Sequence, residues 1–90
     1  MGLLNEGVWD NGVKLALWNA CRPCPNFDAK IWRYDNYGTP MKWGEYGNRA
    51  SEYGWEIDHI HPTSKGGSDG IHNLRALNWR NNAAKSAGKP

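Results

Sequence analysis

Apolar residues fall in short patches along this chain, and the spacing of each patch predicts a different element. In "WEIDHI", Trp55, Ile57 and Ile60 mark a half-buried strand over 54–60. The glycine-rich "TSKGGSDG" after Pro62 predicts a loop. "IHNLRAL" (71–77) then predicts a return strand carrying Ile71, Leu74 and Leu77. In "NWRNNAAKSAG" (78–88), Asn78 is placed as N-cap, three alanines as helix formers and Gly88 as the stop. Upstream the patches are weaker. Asp10-Asn11-Gly12, between the apolar flanks of "VWDNGVKLALW" (8–18), predicts a tight turn or hairpin. Residues 19–27 are expected to form a loop. "FDAKIWRYD" (27–35) is expected to form a short helix capped by Asp28 with Ile31 and Trp32 inward. "TPMKW" (39–43) predicts a strand, followed by a tyrosine-rich loop. No segment repeats. The expectation is one small α+β domain over 1–90, with an N-terminal hairpin and helix (1–53) packed on a strand–loop–strand–helix core (54–88).

At 90 residues the chain is near the lower limit for a self-sufficient core, although six Trp and four Tyr offer much area per residue. A bound ion or a second copy would help. No apolar run could span a membrane, and the opening "MGLLNEG" lacks the features of a secretion signal or, with Glu6, of a myristoylation site. A cytoplasmic setting is expected. Cys21 and Cys24 in "CRPC" are spaced like half a zinc site, but no second pair follows. They are expected to be plain loop cysteines, with a metal shared across a dimer or an oxidised pair as alternatives.

Net charge is +2, unevenly spread. Residues 58–90 hold Lys65, Arg75, Arg80, Lys85 and Lys89 against Asp58 and Asp69, for +3; residues 1–57 carry −1. An anionic polymer would approach the C-terminal part. There, Asp58 and His59 crowd into an apolar strand, where a carboxylate is costly unless paired. Strand alternation places them on opposite faces, so a shared site requires the strand to end or twist. Asp58 and the helical Asn82 would form a hard oxygen ligand pair suited to Mg²⁺ or Mn²⁺, with most coordination positions left to water and phosphate.

The stretch "DHIHPTSKGGSDGIHNLRALNWRNNAAKS" resembles the HNH nuclease motif of the ββα-metal, or His-Me finger, fold. The likeness rests on Asp58-His59, Pro62, Gly66-Gly67, Asp69, Asn73-Leu74, Leu77, Asn82 and Lys85, and extends back to about Asp35 in the manner of small bacterial and phage HNH proteins. It implies a metal-dependent endonuclease that hydrolyses phosphodiester bonds, nicking DNA and commonly leaving a 5′-phosphate. His59 would be the general base, Asp58 and Asn82 the ligands of Mg²⁺ or Mn²⁺, and Asn73 the residue that ties the loop and orients the base. His61, Arg75, Arg80 and Lys85 are candidate contacts to the nucleic acid. Many relatives brace this motif with zinc-binding cysteine pairs. Here Asn78 and Asn81 stand at those positions, so structural zinc is not expected, and Trp55, Trp79 and Leu77 would brace it by packing. The alternative is a non-catalytic nucleic-acid-binding or phage DNA-packaging module. In either role the partner is nucleic acid, with a homodimer or larger nucleoprotein machine in view.

Overall fold

The computed structural model describes residues 9–86 and 88. The expectations for the opening residues and for Lys89 lie outside them. Among the described residues helix α1 (Asn11–Asn19) comes first, then strands β1 (Arg22–Pro23), β2 (Trp32–Tyr34) and β3 (Pro40–Lys42) in one antiparallel sheet. β4 (Trp55–His59) and β5 (Leu74–Asn78) form a second antiparallel sheet, and α2 (Trp79–Ser86) follows directly. Single 3₁₀ turns at Trp43–Glu45, Thr63–Lys65 and Ile71–Asn73 shape the connections.

Three N-terminal expectations are overturned. The loop expected over 19–27 contains β1, which the chain forms because Arg22 and Pro23 pair with Tyr34 and Arg33 of β2. Asp10-Asn11-Gly12 opens α1 and not a hairpin: Asp10 is the N-cap, its Oδ1 accepting the Val13 N–H at 2.8 Å. A short polar side chain that bonds nearby backbone serves a turn or a cap equally well. Burial decides, because the helical arrangement sets Leu17 and Trp18 into the core. Residues 27–35 form a turn and a strand instead of a helix. Asp28 does cap a turn, accepting the Lys30 N–H on Oδ1 at 2.9 Å and the Ile31 and Trp32 N–H groups on its carbonyl. The chain then extends to pair with both β1 and β3, and Ile31 stays exposed.

The core lies between α1 and the β4–β5 sheet. Trp18 and Trp55 are almost fully buried with Met41, Ile57, Leu74 and Ala76. Trp18, Trp43 and Trp55 stand with ring centres 5.1–5.4 Å apart in tilted and edge contacts, the arrangement aromatic quadrupoles favour. Their indole N–H groups are satisfied where burial is deepest: Trp18 donates to the Ala29 carbonyl at 2.9 Å and Trp55 to the Trp43 carbonyl at 3.1 Å.

The bracing of β5 on α2 is more polar than the sequence suggested. Trp55 and Leu77 are indeed buried, but Asn78 and Asn81 also act, through Asp35. The buried Asp35 accepts the Tyr37 and Thr39 N–H groups on Oδ1 (3.0 and 2.9 Å) and the Asn78 N–H and Asn81 Nδ2 on Oδ2 (3.1 and 2.8 Å). Asn78 Nδ2 donates to the Pro40 and Glu52 carbonyls, and its Oδ1 accepts the Arg80 N–H at 3.0 Å, which makes it the helix cap expected. Gly88 follows α2 with φ +80° and donates to the Lys85 carbonyl, the expected stop. Among the described residues, no helix is long and apolar enough to cross a membrane.

Candidate active site

Register fixes the site. β4 and β5 pair Glu56 with Leu77, Asp58 with Arg75 and His59 with Leu74. Alternation along β4 then sends Glu56 and Asp58 to one face, over which α2 packs, and Trp55, Ile57 and His59 to the other. Asp58 and His59 still line one cleft because β4 ends at His59. That cleft, of about 380 Å³, is walled by Asp58, His59, Pro62, Thr63, Ser64, Lys85 and Ser86.

The loop closing the cleft is held by Asn73. Its Oδ1 accepts the His61 N–H at 2.8 Å, and its Nδ2 donates to the His61 and Ser68 carbonyls at 3.0 and 2.8 Å. The loop calls for glycine at two points, by backbone conformation at the first and by lack of space at the second. Gly66 has φ +90°, and a Cβ on Gly67 would run into the His61 carbonyl. The loop carries Asp69 to His59, where Oδ1 lies 2.7 Å from Nε2. A carboxylate only accepts, so Nε2 bears the proton and Nδ1 of the neutral ring is left as the basic nitrogen.

Asp58 is buried and doubly paired. Arg75 Nε reaches Oδ2 at 2.8 Å; Lys85 Nζ reaches Oδ1 and Oδ2 at 2.9 and 3.0 Å and also donates to the His59 carbonyl. Burial disfavours the Arg75 charge, but the Asp58 hydrogen bond and charge outweigh it, with help from Tyr37, so its pKa is raised. One helical turn away, Asn82 Nδ2 donates to Glu56 Oε1 at 2.8 Å. Arg49 grips the same buried carboxylate at both oxygens, at 2.6 and 2.8 Å.

The expected residues are therefore distributed as follows. His59, Asp58 and Lys85 share the cleft, Asn73 fastens its loop, and Asn82 lies on the α2 face that meets β4, bonded to Glu56. Arg75 is not an open contact for phosphate, since Asp58 occupies it. Lys85 is likewise engaged. His61 Nε2 is bonded to the Lys65 carbonyl at 2.9 Å, which gives it work in the loop. His61 and Arg80 are the exposed two of the four, and Arg80 makes one Nη2 contact to the Glu52 carbonyl at 3.2 Å. Two partners went unforeseen. Asp69 was part of the spacing but had no role; Glu56 was missed, although its place two residues before Asp58 on the same strand face was a readable signal.

An ion fits these residues on chemical grounds. Glu56 fixes the Asn82 amide with nitrogen inward, which leaves Oδ1 as the atom available to a metal. The Lys85 ammonium among the two Asp58 oxygens and the His59 carbonyl marks a place where a cation is already favoured. Among the described residues no group of three or more His, Cys, Asp or Glu gathers as a metal site, so the donors on offer are one carboxylate and one amide. Cys21 and Cys24 are free and lie elsewhere, beside β1 and β2. Burial, with Asp35 adding and Arg33 opposing, raises the Cys21 pKa to about 11; burial also raises that of Cys24, against Tyr34 and Arg22. Both stay thiols at neutral pH, the form least suited to binding metal.

No curated protein and no solved structure matches the chain. Residues 45–88, which contain β4, the Asn73-tied loop, β5 and α2, match the family model for the HNH endonuclease. The match points to nuclease activity on a nucleic acid, and HNH nucleases typically use divalent metal ions. The cleft at the end of β4 thus belongs to an HNH endonuclease domain, which occupies residues 45–88 of this chain.

Proposed function

We propose that the protein is a metal-dependent endonuclease that nicks DNA, with His59 as the general base. The observation that carries this reading is the His59–Asp69 pair at 2.7 Å, set at a strand end where Asp58 opens into the same cleft. With Nε2–H committed to Asp69, Nδ1 takes the proton from the attacking water, and the carboxylate steadies the imidazolium that results. A Mg²⁺ or Mn²⁺ ion on Asp58 and Asn82 Oδ1 would offset the charge that builds on the scissile phosphate and its leaving oxygen. Asn73 and the glycines keep the loop, and with it Asp69, at a fixed distance from the base. Misplacement of a reacting group by an ångström can cost about 100-fold in rate.

A second reading, a binding module without catalysis, has one observation in its favour. Lys85 and Arg75 already neutralise Asp58, so any ion there competes with an ammonium group. Supercoiled plasmid incubated with the protein and Mg²⁺, Mn²⁺ or EDTA, beside His59→Ala, separates the two. Nicking that needs the ion and vanishes in the variant supports the nuclease. Equal DNA binding by both proteins with no cleavage supports the module.

A further inference from the structure

The family match begins at residue 45, yet a side chain far upstream touches the base. The Trp9 ring lies 5.8 Å from the His59 ring, centre to centre, at 52°. We infer that Trp9 is the positioning residue for His59, so that the N-terminal segment completes the active site. This rests on the reading of His59 as general base.

His59 is held from two sides of unequal strength. Asp69 grips Nε2, but its own side chain is 77 % exposed, and water competes for a bond at such a place. The His59 side chain is only 13 % exposed, so its remaining surroundings are protein. Trp9 supplies a wall of those surroundings and packs at the margin of the main core. What places Trp9 there is packing alone. Trp18, Trp55 and Trp79 each donate Nε1 to a carbonyl, whereas the buried Nε1 of Trp9 has no acceptor among the described residues. An unmet buried donor destabilises, so the indole is retained for its ring contacts. Its neighbour Asp10 caps α1, and α1 packs on β5, which ties Trp9 to the sheet that carries His59. The base is thereby clamped between an apolar wall and a carboxylate on a loop.

Steady-state cleavage by Trp9→Ala, Trp9→Phe and Trp9→Leu, with thermal melts of each, tests this. Trp9→Ala should lower kcat by about 10- to 100-fold with KM within about 3-fold. Trp9→Phe should recover most of the loss, and Trp9→Leu, which keeps bulk without a ring, less. The His59 ring proton resonances should also lose their indole-induced displacement in Trp9→Ala and Trp9→Leu. A folded Trp9→Ala protein that keeps its kcat overturns the inference. If the wild-type protein cuts nothing, the nuclease reading fails. The His59 resonances then decide by themselves whether Trp9 fixes the ring: unchanged positions in Trp9→Ala overturn that too.

Discussion

In the proposed reaction Asp69 and His59 would divide the work of the base unequally, because the carboxylate is open to solvent and the imidazole is not. Substituting an exposed loop residue away from caps and cores changes stability by less than about 0.5 kcal/mol. Asp69→Asn should therefore leave the melting temperature almost unmoved. Its effect should be on turnover, since an amide can face Nε2 with either end and lends no charge to the imidazolium. A loss in kcat of about 10-fold is expected, with KM nearly constant, in line with the removal of a partner that orients a ligand or base. Single-turnover cleavage at saturating protein measures the step directly. Wild-type turnover in Asp69→Asn would mean that the 2.7 Å contact has no part in the reaction.

At the scale of elements, the polar knot on Asp35 is what joins the N-terminal sheet to the start of α2. Four donors converge on its two oxygens: the N–H groups of Tyr37, Thr39 and Asn78, and Asn81 Nδ2. Asp35→Ala strands them in a buried place, a change expected to destabilise by about 3–5 kcal/mol. Asn81→Ala removes one donor and leaves the carboxylate its other partners, so about 1–2 kcal/mol is expected. Urea unfolding with an unchanged slope would check both, and a loss below about 1 kcal/mol for Asp35→Ala would show that the knot does not brace the fold. This junction also marks where the sequence stopped being readable. β4, the glycine loop, β5 and α2 follow one another and pair with near neighbours, so alternation, caps and glycines sufficed to place them. β2 exists because it pairs on both edges, and α1 because Leu17 and Trp18 reach a sheet more than 35 residues later; neither cause is local. The site divides the same way. His59, Asp58, Asn73 and Asn82 were singled out by their spacing and Glu56 was signalled by strand alternation, whereas Trp9 and Asp35 matter through contacts that spacing does not encode.

For the molecule as a whole, the question is how many phosphates it can hold. Net charge is only +2, and most cations are already occupied. Lys14 lies over Tyr46, Arg22 over Tyr34 and Lys42 over Trp32; Arg33 bonds backbone carbonyls; Arg49 serves Glu56, and Arg75 and Lys85 serve Asp58. Among the described residues of the C-terminal basic half, Lys65 and Arg80 remain without a carboxylate partner. Each phosphate neutralised contributes about −0.9 to the slope of log K against log salt on duplex DNA. Two or three contacts therefore predict a slope between about −2 and −3, with affinity in the range of non-specific binding, about 10⁻⁴–10⁻⁶ M. Fluorescence anisotropy on a short duplex in EDTA, from about 50 to 200 mM salt, gives the slope before any cleavage begins. In Lys65→Ala or Arg80→Ala it should flatten by about one for each phosphate lost. A slope of about −6 or steeper corresponds to about seven phosphates, more than the cations left unengaged among the described residues, and would point to two copies that hold the duplex between them.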